Sequence, residues 1–335
     1  MKVYSNFPLL HHNTMGIAAT AAVYVEYSTE AELSEALRRR ARDEKLLFIG
    51  QGSNLLFTHD FEGAVMHGNI GGIEVVEDGD DSSIVRVGAG VVWDDFVRWC
   101  LEHRLYGVEN LSLIPGEVGA AAVQNIGAYG AELSDVAEAV ETIEVATGEA
   151  RTFSRQECAY AYRHSFFKDH FEEYVAHHVR FRLSKRFVPL LKYGSLKKEF
   201  ASRKGSVDAG QIRQYVVAAR QSKLPDPADI GNAGSFFMNP VVEPAKMQRL
   251  RASYPDIPHF ASEGGGEKIP AAWLIEQCGW KGRRVGNVGV YARQPLVIVN
   301  YGGATAKEVV ELAERVVADV RAKFGINLKP EVQYI

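Results

Sequence analysis

The order of apolar and polar residues near the start of the chain predicts a mixture of strands and helices. Residues 20–27 alternate and are rich in Val and Tyr, which is typical of a strand. Thr29 and Glu32 have the spacing of a capping box, which predicts a helix running to about Arg42. The apolar run Leu46–Ile49 predicts a short buried strand directly before a glycine turn.

Periodicity along the rest of the chain predicts the same mixture. Helices are predicted at 93–102, 208–222, 243–253, 270–278 and from Thr305 to about 324, and strands within 63–88 and at 141–153 (a hairpin), 174–183, 296–300 and 328–334. This order lacks the regular strand–helix alternation of a parallel sheet, so the predicted fold class is α+β. The Leu-Pro-Asp-Pro sequence at 224–227 ends a helix and marks a domain boundary.

Composition narrows the class of protein. The chain has 335 residues, of which 46% are apolar and 24% charged, and its net charge is −4. This length exceeds a usual single core, so two or three domains are expected. The weak negative charge gives no general reason to expect nucleic acid or an anionic membrane as partner. No run approaches the ~20 apolar residues of a membrane helix, and the N-terminal apolar run is too short for a signal peptide, so a cytoplasmic protein is expected.

Cysteine and histidine spacing bears on metals and redox state. The three cysteines, Cys100, Cys158 and Cys278, are far apart and odd in number. This disfavours a disulfide framework or a Cys-rich zinc site and fits a reducing compartment. The ten histidines show no metal-ligand spacing, and two of them, His177 and His178, are simply adjacent. No metal site is predicted.

The segment 113–130, LIPGEVGAAAVQNIGAYG, is the most unusual stretch of the chain. It has four glycines, four alanines and a single charged residue, Glu117. Because glycine permits positive φ and close approach, such a segment either packs tightly against another backbone or presents N–H groups to phosphate oxygens. Gln124 and Asn125 add amides able to read the edge of a ring. A tight turn and a ligand-binding loop both fit this composition.

A second glycine loop, Gly50-Gln-Gly-Ser-Asn54, follows the predicted strand at 46–49. Strand, glycine turn and then polar residues is the order expected of a phosphate-binding loop. Leu55 stands where the dinucleotide fingerprint has its third glycine, and no Gly-Lys-Ser/Thr follows, so the loop is neither of those motifs. Together with 113–130 it predicts one elongated phosphate-bearing ligand contacted by two β-rich lobes.

Three residues are candidates for chemistry. Ser235 lies in the small-residue turn Asn-Ala-Gly-Ser-Phe-Phe without a Gly-x-Ser-x-Gly elbow or a local His, so it fits a proton donor, or a bond to the backbone, better than an acyl-transfer nucleophile. Arg163 fits either a surface residue or a clamp for a developing anion. Glu331, which follows Pro330 near the C-terminus, is an ordinary carboxylate on sequence grounds.

Taken together, short motifs along the chain resemble the UDP-N-acetylenolpyruvoylglucosamine reductase family. They occur in family order from about residue 13 to 335: Asn13-Thr-Met-Gly16, Gly50-Gln-Gly-Ser-Asn54, Ile114-Pro-Gly116, Gln124-Asn-Ile-Gly-Ala-Tyr-Gly130, Tyr162-Arg163, Lys223-Leu-Pro-Asp-Pro227, Gly234-Ser-Phe-Phe237 and Pro330-Glu-Val332. Their order and number make chance similarity improbable.

The resemblance implies a two-lobed PCMH-type FAD-binding domain followed by a C-terminal α/β substrate-binding domain. The implied boundaries are 1–70 for the first FAD lobe, 71–224 for the second, 225–325 for the substrate domain, and 326–335 for a terminal strand that carries Glu331. The segment around Tyr193 resembles the tyrosine loop of the longer type of the family, which closes over substrate.

The resemblance also implies a reaction. NADPH passes hydride to N5 of FAD, and the enolpyruvyl ether of UDP-N-acetylglucosamine then takes hydride at its methylene carbon. Arg163 and Glu331 match residues that stabilise the enolate-like species, and Ser235 matches the proton donor that completes UDP-N-acetylmuramic acid. A serine held at hydrogen-bond distance is able to quench such a carbanion-like centre.

The remaining site residues follow by position. The resemblance assigns FAD contacts to Gly50, Gly52, Ser53, Asn54, Leu55, Ile114, Pro115, Gly116, Gly119, Gln124, Asn125, Gly127 and Ala128. It assigns substrate contacts to Tyr129, Tyr193, Lys223 and Asn239. The implied partners are small molecules only, without nucleic acid or membrane, and a monomer is expected.

Two departures from the family pattern stand out. Met238 replaces a common lysine, which removes one positive charge near the substrate, and Ala122 replaces a frequent proline, which loosens the second loop. The alternatives are another PCMH-type flavin oxidoreductase, such as an oxidase, and a sugar-nucleotide-binding protein that has lost catalysis. Retention of Arg163, Ser235 and Glu331 disfavours both.

Overall fold

The computed structural model describes residues 1–40, 44–201, 206–262 and 265–335. Its contacts divide the chain into two compact units that are each discontinuous in sequence. The first unit comprises Met1–Phe7, Ala21–Gln51 and Glu62–Arg220, and the second comprises Pro8–Thr20, Gly52–Phe61 and Gln221–Ile335. The division at residues 70, 224 and 325 remains a prediction.

Both units mix helices and strands. The strands are β1 (Lys2–Pro8), β2 (Thr20–Tyr27), β3 (Leu46–Ile49), β4 (Leu55–Leu56), β5 (Phe61–Gly68), β6 (Ile73–Asp78), β7 (Ser82–Gly88), β8 (Gly127–Ala128), β9 (Ala131–Glu132), β10 (Ala137–Glu144), β11 (Ala150–Ser154), β12 (Tyr174–Ser184), β13 (Gly231–Asn232), β14 (Val241–Val242), β15 (Phe260–Ala261), β16 (Glu267–Lys268), β17 (Arg284–Val285), β18 (Val288–Val290), β19 (Ile298–Asn300) and β20 (Gln333–Tyr334). The helices are α1 (Glu30–Arg39), α2 (Trp93–Glu102), α3 (Val118–Gln124), α4 (Phe166–Asp169), α5 (Gly194–Phe200), α6 (Ala209–Lys223), α7 (Pro244–Ser253), α8 (Ala271–Gln277) and α9 (Ala306–Phe324).

The first unit is built on two sheets. One has the order β11-β10-β12-β7-β6, and its neighbouring strands pair antiparallel. Its core contains Trp93 and Phe96 of α2 against Phe181 of β12, with ring centroids 4.7–6.0 Å apart. The other sheet has the order β1-β2-β5-β3, with β3 parallel to β5, and the apolar face of α1 contributes Leu33 and Leu37 to its core.

The second unit packs small sheets against one long helix. One sheet has the order β13-β19-β18-β17 and another the order β14-β16-β15. Helix α9 has a complete capping box, because Thr305 Oγ1 accepts from Glu308 N and the Glu308 carboxylate accepts from Thr305 N. Its apolar residues repeat three and four apart and are buried in the core with Trp280.

Within the second unit, residues 329–335 form backbone hydrogen bonds to two neighbouring segments, one on each side. On one side Met238 N donates to Lys329 O at 2.9 Å and Glu331 N donates to Phe236 O at 2.8 Å. On the other side β20 runs parallel to β4, with Gln333 N donating to Asn54 O at 3.0 Å. The predicted strand at 328–334 is therefore wrong in extent: only Gln333–Tyr334 is a strand, because Pro330 has no N–H with which to continue a ladder.

Most predicted elements are confirmed, including β2, β3, α2 and α9. Helix α1 is shorter than predicted. It ends at Arg39, and Arg42, where the prediction ended, lies outside the described residues. Glu32 does not complete the capping box, because its carboxylate accepts from Ser28 N at 2.7 Å.

Every helix in the described parts of the chain is too short or too polar to cross a membrane.

A β-bulge in β12 creates a cluster of polar side chains that the spacing of these residues in the sequence does not predict. Opposite Glu141–Thr142, β12 contains an extra residue, so the neighbours His177 and His178 face the same side. Their Nδ1 atoms lie 2.8 Å apart, and both lie 3.3–3.4 Å from Glu30 Oε1. These three groups have metal-like spacing, contrary to the sequence expectation. However, Arg86 Nη2 donates to Glu30 at 3.1 Å and to His178 at 3.0 Å, so hydrogen bonds and a cation already occupy the cluster.

Charges around this cluster shift two pKa values. Burial, with the nearby Arg86 guanidinium, lowers the pKa of His178 to about 4. Burial raises the pKa of Glu141, but hydrogen bonds from Arg86 and Arg180 outweigh it and hold that pKa at about 2. Both groups therefore favour the folded state near neutral pH.

We predict that the first unit loses stability as the pH falls through the range in which His178 becomes protonated. The unfolded chain protonates His178 near pH 6.5, whereas the folded chain does so only near pH 4, so the stabilising contribution is complete above pH 6.5 and is lost between these values. This loss is on the order of 1–3 kcal/mol. In urea unfolding at pH 7 and pH 5, His178→Gln should flatten this part of the profile, whereas the exposed control His59→Gln should not. An unchanged slope in His178→Gln would contradict the assignment.

Candidate active site

The first unit brings the two glycine loops together. The Glu117 carboxylate lies against Gly50, where an added Cβ would come within 2.8 Å of Oε2. Next to this contact, Gly116 N donates to Gln51 Oε1 at 3.2 Å. Packing of the Glu117 side chain against residue 50 accounts for the glycine at that position.

The segment 113–130 combines a short helix with a series of turns. Leu113, Asn125 and Tyr129 have φ of 59°, 46° and 50°, values that are uncommon for residues with side chains. Helix α3 joins these turns, and Gly119 N in its first turn donates to Ala89 O at 2.9 Å. The segment therefore does contain the tight turns that the sequence allowed, and part of it packs against other residues of the first unit.

The sequence indicated that the Asn125 amide is able to read the edge of a ring, but in the structure this amide does not face outwards. Asn125 is fully buried. Its Nδ2 donates to Glu132 Oε2 at 3.0 Å and to Ala161 O at 2.9 Å, and its Oδ1 accepts from Ser134 N at 3.0 Å. The expectation for this amide is therefore wrong: it holds the turn after α3. The neighbouring Gln124 accepts from Lys168 Nζ at 3.0 Å.

Arg163 is fixed by the same segment. Its backbone has a φ of 56°, and its Nη2 donates to Gly127 O at 2.5 Å. A Cβ at Gly127 would come within 2.7 Å of Arg163 Nη1, so only glycine allows this placement of the guanidinium. Gly127 and Ala128 form β8, which pairs with β9. The predicted anion clamp therefore lies directly against predicted cofactor residues.

Tyrosines and a further arginine extend this region. Tyr129 and Tyr193 meet edge to face with ring centroids 5.4 Å apart. Arg220 was missed by the sequence reasoning. Its Nε donates to Leu113 O at 3.1 Å, and burial, together with the charge of Arg163, lowers the pKa of Arg220. One sequence signal could have identified Arg220. It follows the buried residues Ile212 and Val216 of α6 at the same interval of four residues, which places it on the buried face of the helix.

In the second unit, a tight loop precedes Asn54. Gly52 has a φ of 65°, and a Cβ there would lie 2.3 Å from His12 O, so the position requires glycine. Gly52 O accepts from Thr14 N at 3.2 Å. Asn13 fixes the facing loop, because its Nδ2 donates to Leu9 O at 2.7 Å and to Ile17 O at 2.9 Å.

The second unit also brings Ser235 and Glu331 together. Gly234 N donates to Asn232 Oδ1 at 3.0 Å and has a φ of 68°, which makes the turn before Ser235. Because Glu331 N donates to Phe236 O, Glu331 lies beside the residue that follows Ser235. Asn54 Nδ2 donates to Glu331 O at 3.2 Å, which ties a predicted cofactor residue to the same place.

The other predicted residues divide between the two units. Asn239 Oδ1 accepts from Ala271 N at 2.9 Å at the start of α8, and Lys223 is the exposed last residue of α6. The first unit holds Gly50, Ile114, Pro115, Gly116, Gly119, Gln124, Asn125, Gly127, Ala128, Tyr129, Arg163 and Tyr193, and the second holds Gly52, Ser53, Asn54, Leu55, Lys223, Ser235, Asn239 and Glu331.

The residues of the first unit fit a cofactor that carries a diphosphate. Three cationic side chains touch the segment 113–130: Arg163 at Gly127, Lys168 at Gln124 and Arg220 at Leu113. The single carboxylate in the segment, Glu117, is turned towards His67. Cations around a loop of small residues match the phosphates of a dinucleotide.

Comparisons with known proteins agree with this arrangement. Residues 226–335 match the family model described as UDP-N-acetylenolpyruvoylglucosamine reductase, C-terminal domain, and residues 21–154 match an FAD binding domain. The fold resembles the crystal structure of UDP-N-acetylenolpyruvylglucosamine reductase from Thermus caldophilus, with a TM-score of 0.68, 24% identity and coverage of 99% of this chain and 98% of that one. The predicted α+β fold with a PCMH-type FAD-binding domain is confirmed.

Sequence relatives are closer. A UDP-N-acetylenolpyruvoylglucosamine reductase of Porphyromonas gingivalis is 48% identical over 100% of both chains. One of Burkholderia vietnamiensis is 46% identical over 99% of this chain and 96% of the relative. One of Bacteroides fragilis is 49% identical over 98% of this chain and 99% of the relative. At these identities over nearly its whole length, the chain belongs to the UDP-N-acetylenolpyruvoylglucosamine reductase family.

Proposed function

We propose that this protein reduces the enolpyruvyl ether of UDP-N-acetylglucosamine to UDP-N-acetylmuramic acid for peptidoglycan synthesis, with NADPH as hydride donor. The observation that carries the proposal is the hydrogen bond from Glu331 N to Phe236 O, which holds Glu331 next to the residue that follows Ser235, in a chain 49% identical to such a reductase. The reaction would take place in the cytoplasm, in a monomer with lobes at 1–70 and 71–224, a substrate domain at 225–325 and a terminal strand at 326–335.

When bound, FAD would supply the hydride-transfer chemistry between NADPH and the methylene carbon of the substrate. The chain would hold this group with Gly50, Gly52, Ser53, Asn54, Leu55, Ile114, Pro115, Gly116, Gly119, Gln124, Asn125, Gly127 and Ala128. For Asn125 this is a backbone role, because its amide is committed to the turn.

Ser235 donates a proton to the carbon that carries the carboxylate, so that hydride and proton together saturate the double bond. Serine is a weak acid, but a carbanion-like carbon at hydrogen-bond distance is basic enough to take its proton. The Arg163 guanidinium stabilises the charge that develops on the neighbouring carboxylate, and Glu331 does so through a proton that it shares with this species. Tyr129, Tyr193, Lys223 and Asn239 bind the sugar nucleotide.

Removing the proton donor should separate the two half-reactions. In Ser235→Ala, anaerobic reduction of the flavin by NADPH should keep its rate, whereas reoxidation by the enolpyruvyl substrate should slow by ~10²-fold or more. Stopped-flow absorbance measures both steps. The exposed serine of the same unit, in Ser253→Ala, is the control and should leave both rates unchanged. Equal slowing of the two steps in Ser235→Ala would contradict the role of proton donor.

Displacing Arg163 without removing it should also slow the second step. A Cβ at residue 127 overlaps the guanidinium, so Gly127→Ala should reduce the reoxidation rate roughly 10- to 100-fold, the cost of misplacing a catalytic group by about 1 Å. Gly71→Ala is the matched control, since a Cβ there meets nothing within 4 Å. A Gly127→Ala protein with the reoxidation rate of the control would show that the placement of Arg163 is not required.

A further inference from the structure

We infer that Lys168 is a positioning residue that holds Arg163 in a strained turn. The inference rests on the proposed function, because it assigns Lys168 a role in the half-reaction that Arg163 serves. Lys168 lies in α4, outside both glycine loops and outside the residues that the resemblance assigns to cofactor, substrate or catalysis.

The backbone at Arg163 is strained. Residues 161–164 form a tight turn in which Ala161 and His164 exchange two backbone hydrogen bonds, both at 3.0 Å. Arg163 is the third residue of this turn, and its φ of 56° belongs to the region that glycine and asparagine ordinarily occupy in turns. Because such a conformation persists only where surrounding groups over-determine it, the turn must be held by contacts from outside.

Lys168 makes one of these contacts with the turn itself. Its Nζ donates to Arg163 O at 3.1 Å. Two other hydrogen bonds restrain the same turn, since Asn125 Nδ2 donates to Ala161 O at 2.9 Å and Arg163 Nη2 donates to Gly127 O at 2.5 Å. Relaxation of the strained turn would rotate the peptide that follows Arg163 and carry the guanidinium away from Gly127. The hydrogen bond from Lys168 opposes this rotation.

Helix α4 is anchored firmly enough for its lysine to act in this way. Phe167 is buried in the core of the first unit. The helix is also tied at its start, because Ser165 Oγ donates to Val123 O at 2.6 Å and Phe166 N donates to Cys158 O at 2.8 Å. An ammonium on an anchored element is able to restrain its acceptors, whereas one on a mobile stem follows them.

The same ammonium connects Arg163 to the predicted cofactor segment. Lys168 Nζ donates to Gln124 Oε1 at 3.0 Å, at the end of α3. Because a lysine ammonium donates and does not accept, the Gln124 amide must turn its oxygen towards Lys168. One side chain therefore joins the proposed anion clamp to a proposed FAD contact, and its loss should misplace the clamp.

The test measures both half-reactions by anaerobic stopped-flow absorbance, with the full-length protein loaded with FAD and rates expressed per bound flavin. Lys168→Met keeps the apolar stem but removes the N–H donors. Reoxidation by the enolpyruvyl substrate should slow roughly 10- to 100-fold, whereas reduction by NADPH should change by less than about threefold. Lys45→Met, at an exposed lysine of the same unit, is the control and should keep both rates.

A double-mutant cycle shows whether Lys168 acts through Arg163. In an Arg163→Gln background no guanidinium remains to be positioned, so adding Lys168→Met should slow reoxidation by less than about threefold. A lysine that only stabilises the fold would give independent effects that multiply. An Arg163→Gln protein with an unchanged reoxidation rate would overturn both the role of Arg163 and the inference.

The outcomes separate the inference from the proposed function. If Lys168→Met is reoxidised as fast as the unsubstituted protein, or if the two effects multiply, the inference is overturned while the proposed function stands. Weaker FAD binding with an unchanged reoxidation rate per bound flavin would assign Lys168 to the cofactor phosphates and also overturn the inference. If substrate does not reoxidise the unsubstituted protein, both are overturned.

A shorter side chain provides a second variant should Lys168→Met fail to fold. In Lys168→Gln the side chain is one atom shorter and cannot reach both Arg163 O and Gln124 Oε1. Reoxidation should then slow roughly fivefold or more, and an unchanged rate overturns the inference.

Discussion

The position of the last residues, 329–335, is the constraint on which the proposed catalytic residues of the second unit depend. Residues 329–335 are held by backbone hydrogen bonds to Phe236 and Met238 on one side and to the strand after Asn54 on the other. Backbone bonds of this kind do not depend on which side chains the segment carries. They therefore fix the backbone of Glu331 beside Phe236, the residue that follows Ser235.

The first unit meets a related requirement with side chains. It must hold an arginine and a loop of small residues in place without filling the space that a ligand needs. Gly127 allows Arg163 to approach the loop backbone, and Asn125 uses its whole amide to fix the turn between them. Fully satisfied buried polar groups make such a turn rigid. The glycines therefore serve close packing within the protein as much as approach by a ligand.

Sequence patterns predicted the elements whose stability is local. Helix α9 has a capping box and a regular apolar stripe, and α2 has a clear amphipathic pattern, so both were predicted within a residue or two. The motif order also predicted the family. The terminal strand was predicted too long, since alternation continues through Pro330 while ladder pairing does not.

Features that depend on tertiary contacts could not be predicted from the sequence. The bulge that turns His177 and His178 to one side arises from pairing with β10, and adjacent histidines carry no sign of it. The buried pair of His67 and Glu117 joins positions fifty residues apart. The sequence did not predict the buried position of Arg220, because a single arginine on a helix is ordinarily a surface residue.

The central claim, a flavin that passes hydride from NADPH to the enolpyruvyl ether, is tested most directly by anaerobic absorption spectroscopy of the purified protein with FAD. The account predicts that the visible flavin band bleaches on addition of NADPH and returns on addition of UDP-N-acetylglucosamine enolpyruvate without oxygen. A band that returns only when oxygen is admitted would contradict the account and identify an oxidase. A protein that takes up no FAD would contradict it more completely.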